Sequence, residues 1–376
     1  MDGNRLVLYL YSQSSISSTV EMFFCVLINQ LYVNLTRIDK IREDCKLKKL
    51  YTLLFFMLLS FAVLAGCGGA DENKTAQNEQ DQKTEEKESG KEKEAGAFPV
   101  TIKDAANQEV VIEAKPERIV SLMPSNTEIT FALGLGDEIV GVTDYDNYPE
   151  EALEKEKIGD MNFNVEKIIS LKPDLVLAHG GSGMGSSVEG LQQLRDAGIT
   201  VLVVNDATSF DAVYDAINMI GQATGTKNKA DEMTADMQSR IEAIKEKASA
   251  IKEEDRKKVY IEIMPAPEIY AAGKNTFMDE MLSIIQAENI VTEPDWPKVD
   301  QEAIIASNPD VIITTYGFYT PDAAEQVLGR EGWQDVNAVK NKQVVDVNSD
   351  EVTRSGPRLV EGVEEVAKAV YPDVFK

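Results

Sequence analysis

Asn164-Val-Glu-Lys-Ile-Ile-Ser-Leu-Lys-Pro-Asp-Leu-Val-Leu177 has a second copy in register, Asp300-Gln-Glu-Ala-Ile-Ile-Ala-Ser-Asn-Pro-Asp-Val-Ile-Ile313. In both, a polar residue and then a glutamate (Glu166, Glu302) open a short helical pattern, Pro-Asp closes it, and an apolar run follows. An acid in the first turn suits the positive end of the helix dipole, and proline marks the stop. Any βαβ unit can reuse such a turn, but two similar lobes, each presenting one exposed glutamate at a matching corner, explain the register better. Outward from the first copy, strand candidates at 119–122, 139–142, 175–178 and 201–204 alternate with helical patterns at 128–133, 165–171, 188–197 and 210–224. Around the second copy, strands at 259–263, 311–315 and 344–347 alternate with helices at 277–286, 301–307 and 358–369. Such alternation predicts parallel βαβ units.

Residues 227–258 lie between the two sets and contain no Gly or Pro. Met233, Met237, Ile241, Ile244, Ala248 and Ile251 fall three or four apart and make one apolar stripe. A helix of about 30 residues is a rod of roughly 45 Å. The expected fold is therefore α/β: two similar βαβ lobes with mainly parallel sheets, joined by one long rigid helix, with a ligand cleft between them. The expected parts are an N-terminal lobe at 98–226, the linking helix at 227–258 and a C-terminal lobe at 259–376. A single helical link, in place of several Gly/Pro-rich crossovers, predicts a few degrees of lobe movement and no wide closure.

Upstream, Lys46, Lys48 and Lys49 precede an apolar run at 50–65 that closes on Leu64-Ala65-Gly66-Cys67. A basic head, an apolar body and small residues before a cleavage point describe a secretory signal. The run is shorter than the roughly 20 residues a membrane-spanning helix needs, although a short anchor with an incidental cysteine is the competing reading. Leu-Ala-Gly-Cys resembles the lipobox of bacterial lipoproteins, which implies a lipid on Cys67, with more than one acyl chain for stable attachment. Residues before Leu47 show no turn, cap or period, so 1–66 reads as an over-extended start plus the signal peptide. Residues 67–97 are almost devoid of apolar side chains and read as a disordered, lipid-anchored tether, with a charged helix at 85–94 as the alternative. The protein is expected at the cell membrane, on its extracytoplasmic face.

The formal charge of −26 excludes nucleic acid as a partner, since phosphates need clustered Lys and Arg. No cysteine follows Cys67, so disulfides and Cys-based zinc sites are excluded from the folded part. Enzyme signatures such as G-x-S-x-G, H-E-x-x-H or a Cys/His pair do not occur, and one histidine, His179, leaves little for general-base work. His179 opens a glycine-rich loop, His179-Gly-Gly-Ser-Gly-Met-Gly, that lacks the ending of a P-loop. It reads as a plain linker or a gating loop at a cleft rim. A free transition-metal ion needs several converging ligands, so no metal site is expected, whereas one histidine suffices as an axial ligand of cobalt or haem iron. Ser125-Asn-Thr-Glu128 reads as a capping box that starts a helix.

Ser121-Leu-Met-Pro124-Ser-Asn126-Thr127-Glu128, Asp144-Tyr145-Asp146-Asn147-Tyr148-Pro149, Gly159-Asp160, Gly273-Lys274, Trp296-Pro297, Asn308-Pro309-Asp310 and Ser355-Gly-Pro357-Arg358 together resemble one family. It is the helical-backbone (class III) substrate-binding proteins of ABC importers, which bind cobalamin, ferric siderophores or haem. The likeness runs from Val100 to the C-terminus and is strongest to the cobalamin-binding type. It implies a monomeric binding protein, not an enzyme and without cofactors, that captures cobalamin or a related corrinoid and delivers it to the permease dimer; a ferric siderophore or haem is the alternative cargo. It implies ligand-facing positions for Tyr145, Tyr270, Trp296 and Asp350, and docking of Glu166 and Glu302 onto permease arginines, a bidentate pairing that fixes orientation. Anionic siderophores would want a cleft arginine. Arg354 is the C-lobe candidate, Arg358 belongs to a helix start, and Arg195 falls within a helix.

Overall fold

The computed structural model describes residues 98–180 and 186–376. The expected start, signal, Cys67, tether and the middle of the glycine-rich loop lie outside the described residues. The folded part opens on an antiparallel hairpin, β1 (Val100–Lys103) with β2 (Glu109–Ile112), that sequence reading did not find. Its turn is closed by the Asp104 carboxylate, which accepts from the Gln108 N–H at 2.8 Å.

The N-lobe follows as β3 (Ile119–Ser121), α1 (Pro124–Ala132), β4 (Ile139–Val142), β5 (Glu156–Lys157), α2 (Val165–Ser170), β6 (Leu175–His179), α3 (Ser186–Asp196), β7 (Thr200–Val204) and α4 (Phe210–Ala223). Helix α5 (Lys227–Ala248) leads to the C-lobe. There come β8 (Lys258–Met264), β9 (Tyr270–Ala271), α6 (Phe277–Ile284), β10 (Glu288–Asn289), α7 (Gln301–Ser307), β11 (Val311–Thr314), α8 (Ala323–Leu328), α9 (Asn337–Lys340), β12 (Val344–Asp346), α10 (Ser349–Thr353) and α11 (Leu359–Val370). The N-lobe sheet is parallel with order β5-β4-β3-β6-β7, and the C-lobe sheet runs β10-β8-β11-β12 with β9 antiparallel against β8. In each lobe the first strand (β3 or β8) is central and the order reverses beside it. Ligands of open parallel sheets bind at such switch points, outside the carboxyl ends of the strands.

The repeated stretch occupies equivalent places, α2–β6 and α7–β11. Asn164 caps α2 by accepting from the Lys167 N–H at 2.9 Å, and Asp300 caps α7 by accepting from the Glu302 N–H at 2.8 Å. Both helices end in the left-handed region, at Lys172 (φ 50°) and Asn308 (φ 48°). The aspartate of each Pro-Asp then ties the turn to the entry of the central strand. Asp174 accepts from the N–H groups of Glu117 and Arg118, both at 3.0 Å, and Asp310 from that of Lys258 at 3.1 Å. Backbone donors left over before a strand are costly unless paired, and this is why Pro-Asp recurs.

The linking helix is shorter than expected. It has 22 residues, roughly 33 Å, and ends at Ala248, ten residues before β8. Glu253, Glu254 and Asp255 would sit at the negative end of a longer helix; they form a 3-10 turn instead, while Ile251 folds back into the core. The expected stripe holds, since Met237, Ile241, Ile244 and Ala248 are buried. One apolar core runs from the N-lobe (Ile129, Leu177, Ile217) through α5 (Met237, Ile241) into the C-lobe (Met281, Ile313, Val363). Each lobe adds an outer cluster of its own, around Ile168 and Leu194 or around Tyr260 and Trp333. Phe210 and Phe277 also meet edge-to-face across the lobes at 6.2 Å, and the Glu280 carboxylate accepts from the Phe210 N–H at 3.0 Å. Among the described residues no helix is long and apolar enough to cross a membrane.

Candidate ligand-binding site

The loop after β4 alternates its side chains between inside, solvent and the opposite lobe. Asp146 is buried and its Oδ2 accepts from the Thr143 N–H at 2.8 Å and hydroxyl at 2.6 Å. With Asp146 turned inward, Tyr145 is forced out and is 58% exposed. Asn147 and Tyr148 reach the C-lobe: the Asn147 Nδ2 donates to Asp350 at 2.9 Å, and the Arg358 guanidinium lies 3.9 Å from the Tyr148 ring centroid. That distance is within cation–π range.

The facing loop follows β12. Asn348 caps α10 through the Asp350 N–H at 3.0 Å, which sets Asp350 and Arg354 one turn apart and paired at 2.8 Å. Arg354 Nη1 donates to Asn147 Oδ1 and to Glu128 Oε1, each at 2.7 Å. Arg358 donates to the same carboxylate from Nε at 3.0 Å and Nη2 at 2.7 Å. Burial works against the Arg358 charge, but the bonds to Glu128 and the fields of Glu128, Asp350 and Glu351 outweigh it and raise its pKa above the ordinary value. The capping-box reading of Glu128 is thereby corrected. Helix α1 starts at Pro124 after an N-cap, Met123, that makes no side-chain cap, and the buried Glu128 side chain is spent on two arginines of the other lobe. Arg358 does stand at a helix start, as the N-cap of α11.

Trp296 and Tyr270 come from one ribbon, in which the segment after β10 runs beside β9. Ala271 N–H donates to Pro297 at 3.0 Å and Gly273 N–H to Asp295 at 2.9 Å. Trp296 is 43% exposed and Tyr270 half-buried. Gly273 permits the close approach, because a Cβ there would overlap the carbonyl oxygen of Glu293. Gly273→Ala is expected to cost about 1–3 kcal/mol through overpacking and to shift Trp296 emission. A thermal melt and an emission spectrum check both; an unchanged spectrum would mean the ribbon does not hold Trp296.

Sequence reading missed four more exposed apolar side chains on these loops: Met161 after β5, Met264 at the end of β8, and Phe318 and Tyr319 after β11. Phe318 and Tyr319 meet edge-to-face at 4.7 Å, and Phe318 is 77% exposed. The Tyr-Gly-Phe-Tyr run that follows a strand was the available signal. Beneath it lies Glu262, fully buried, which accepts two bonds from Arg330 at 2.8 Å and one from the Tyr316 hydroxyl at 2.5 Å. Burial first, and then the Glu262 charge, raise the Tyr316 and Tyr319 hydroxyls above their ordinary pKa, and the neutral Tyr316 hydroxyl donates to Glu262.

His179 ends β6, with Nε2 2.7 Å from Asp206 Oδ1. Glu166 and Glu302 are exposed in the first turns of α2 and α7. A cavity of about 460 Å³ lies beside α1, lined by Glu128, Phe131, Tyr148, Glu151 and Lys155 among others. All its lining residues belong to the N-lobe, and two of them, Glu128 and Tyr148, also meet the arginines of the facing loop.

The sequence pattern of periplasmic binding proteins matches residues 119–351. The chain is 53% identical over 321 residues to the ABC transporter substrate-binding lipoprotein YvrC of Bacillus subtilis (strain 168), covering 85% of this chain and 96% of that one. It is 32% identical over 288 residues to a cobalamin-binding protein of Halobacterium salinarum, covering 74% and 75%. Among solved structures, the periplasmic vitamin B12 binding protein BtuF of Vibrio cholerae is similar at 28% identity and TM-score 0.56, covering 68% of this chain and 96% of that one. The periplasmic heme-binding protein RhuT of Roseiflexus sp. RS-1 is similar at 28% identity and TM-score 0.61, covering 69% and 99%.

Proposed function

Since the chain belongs to the periplasmic binding protein family, and is an ABC transporter substrate-binding protein of the B12, haem and siderophore type, we propose that it captures cobalamin or a related corrinoid and delivers it to the permease. It is a binding protein, not an enzyme. The observation that carries the cargo assignment is the make-up of the facing loops. They offer broad apolar side chains (Tyr145, Met161, Trp296, Phe318, Tyr319), while the guanidiniums of Arg354 and Arg358 are already paired with carboxylates. Aromatic faces give a large contact area at little entropic cost, and a few polar groups orient the ligand. Such a cleft suits a bulky, largely neutral corrinoid; Tyr270 and Asp350 complete the contact set. The likeness to cobalamin-binding relatives supports the same reading.

A ferric siderophore or haem is the second reading, favoured by the equal identity to a haem-binding structure. An anionic chelate would need a free arginine fork, and haem would call on His179, whose Nε2 already faces Asp206. In this reading of the protein, lipid on Cys67 holds the chain at the extracytoplasmic face of the membrane, and Glu166 and Glu302 dock it on the permease.

Fluorescence tests the cargo. Trp333 is sealed in the C-lobe and Trp296 is exposed, so cyanocobalamin is expected to quench Trp296 selectively, and Trp296→Phe to remove most of the quench. Calorimetry against cyanocobalamin, hemin and a ferric hydroxamate provides the comparison. No heat and no quench with cyanocobalamin would sink the corrinoid assignment.

A further inference from the structure

We propose that Glu128 is a specificity-setting positioning residue: it is the internal counter-ion of two arginines from the opposite lobe, and so makes the cleft reject anionic cargo. The proposal rests on the assignment of the facing loops as the ligand site. Glu128 is 3% exposed, and nothing on its own lobe requires a carboxylate there, since α1 is not capped by it. Its two oxygens take three short bonds from Arg354 and Arg358. Further contacts hold them: Arg354 Nη2 donates to Asp350 at 2.8 Å, and Arg358 Nη1 stands 3.6 Å from Glu351 as an ion pair.

Three carboxylates thus face two guanidiniums. A carboxylate or catecholate ligand entering here meets a slightly negative wall whose guanidiniums are already bonded to carboxylates. Arg354 and Arg358 keep 14% and 16% of their side chains exposed, so they retain some contact with solvent and could bind an anion once released. A planar guanidinium pairs with a carboxylate in bidentate fashion, roughly twice as strongly as a neutral hydrogen bond. One such contact corresponds to about tenfold in affinity.

The test is a gain of function, which a merely structural role would not produce. Glu128→Gln is expected to bind hemin about tenfold more tightly than the wild type, with the gain reduced at high salt. Adding Arg354→Gln should remove the gain. Asp350→Asn, which opens one side of Arg354 at a partly exposed position, should give about a threefold gain and serves if Glu128→Gln does not fold. Hemin affinity unchanged in a folded Glu128→Gln, or in Asp350→Asn where that variant stands in, overturns the proposal. Failure of the wild type to bind cyanocobalamin would instead count against the corrinoid assignment, because the hemin comparison does not depend on it.

Discussion

Reversing both exposed glutamates, Glu166→Lys with Glu302→Lys, is expected to abolish import while leaving capture intact. Each glutamate stands in the first turn of a short helix whose end is tied by Pro-Asp to the central strand of its lobe. The carboxylates are therefore held on a rigid frame and not on mobile loops. Where docking buries a hydrogen-bonded charge pair, removing one partner costs about 2–5 kcal/mol, and reversal adds repulsion. Two separate sites should add nearly independently, so transport should fall by at least about 100-fold, with each single variant near the midpoint on a logarithmic scale. Uptake of labelled cobalamin by cells, set beside calorimetric affinity of the purified protein, measures the two halves of the expectation. Wild-type uptake by a double variant that still binds ligand would exclude docking through these residues.

The second large effect is expected at Arg330. Its guanidinium donates to both oxygens of Glu262, which is fully buried, and lies 4.5 Å from the Trp333 ring centroid. Arg330→Met leaves a carboxylate in the C-lobe interior with only tyrosine hydroxyls for partners. Breaking a buried pair from one side costs about 3–5 kcal/mol, which corresponds to a melting point lower by about 10 °C at this size. Replacing both residues, Glu262→Met with Arg330→Met, should recover most of that loss, because the desolvated charge is gone. Tyr316 would nonetheless lose its acceptor and free the loop that carries Phe318 and Tyr319. The double variant should therefore be stable yet bind cargo more weakly, which a melt and a titration on one sample resolve. Equal losses of stability in single and double variants would show that the ion pair is not the source.

The parts of the fold that could be read in advance are those whose signals are local. Pro173-Asp174 and Pro309-Asp310 mark equivalent turns because the backbone donors they satisfy lie at the mouth of the adjacent strand in both lobes. Tyr145 came only from the family resemblance, and no local pattern of its own marks it. Glu128 was not legible, because a local pattern, Ser125 to Glu128, offered a complete explanation while its partners lie beyond residue 350. The Glu262–Arg330 pair was hidden for the same reason. The overlong linking helix came from treating the absence of Gly and Pro as continuation. The acidic run at 253–255 was the stop signal, and it acts through the helix dipole, not through backbone shape.

The single core shared through α5 bears on how a receptor could know that the carrier is full. A carrier whose halves are welded through one interior has little means of announcing its load by changing outline. If Glu166 and Glu302 dock as proposed, empty and filled molecules would offer a permease nearly the same spacing of carboxylates, and a ligand shifts an equilibrium only by its differential affinity for the two states. Discrimination would then fall to the cargo itself, sensed after contact, and unladen carriers would queue for the same berth.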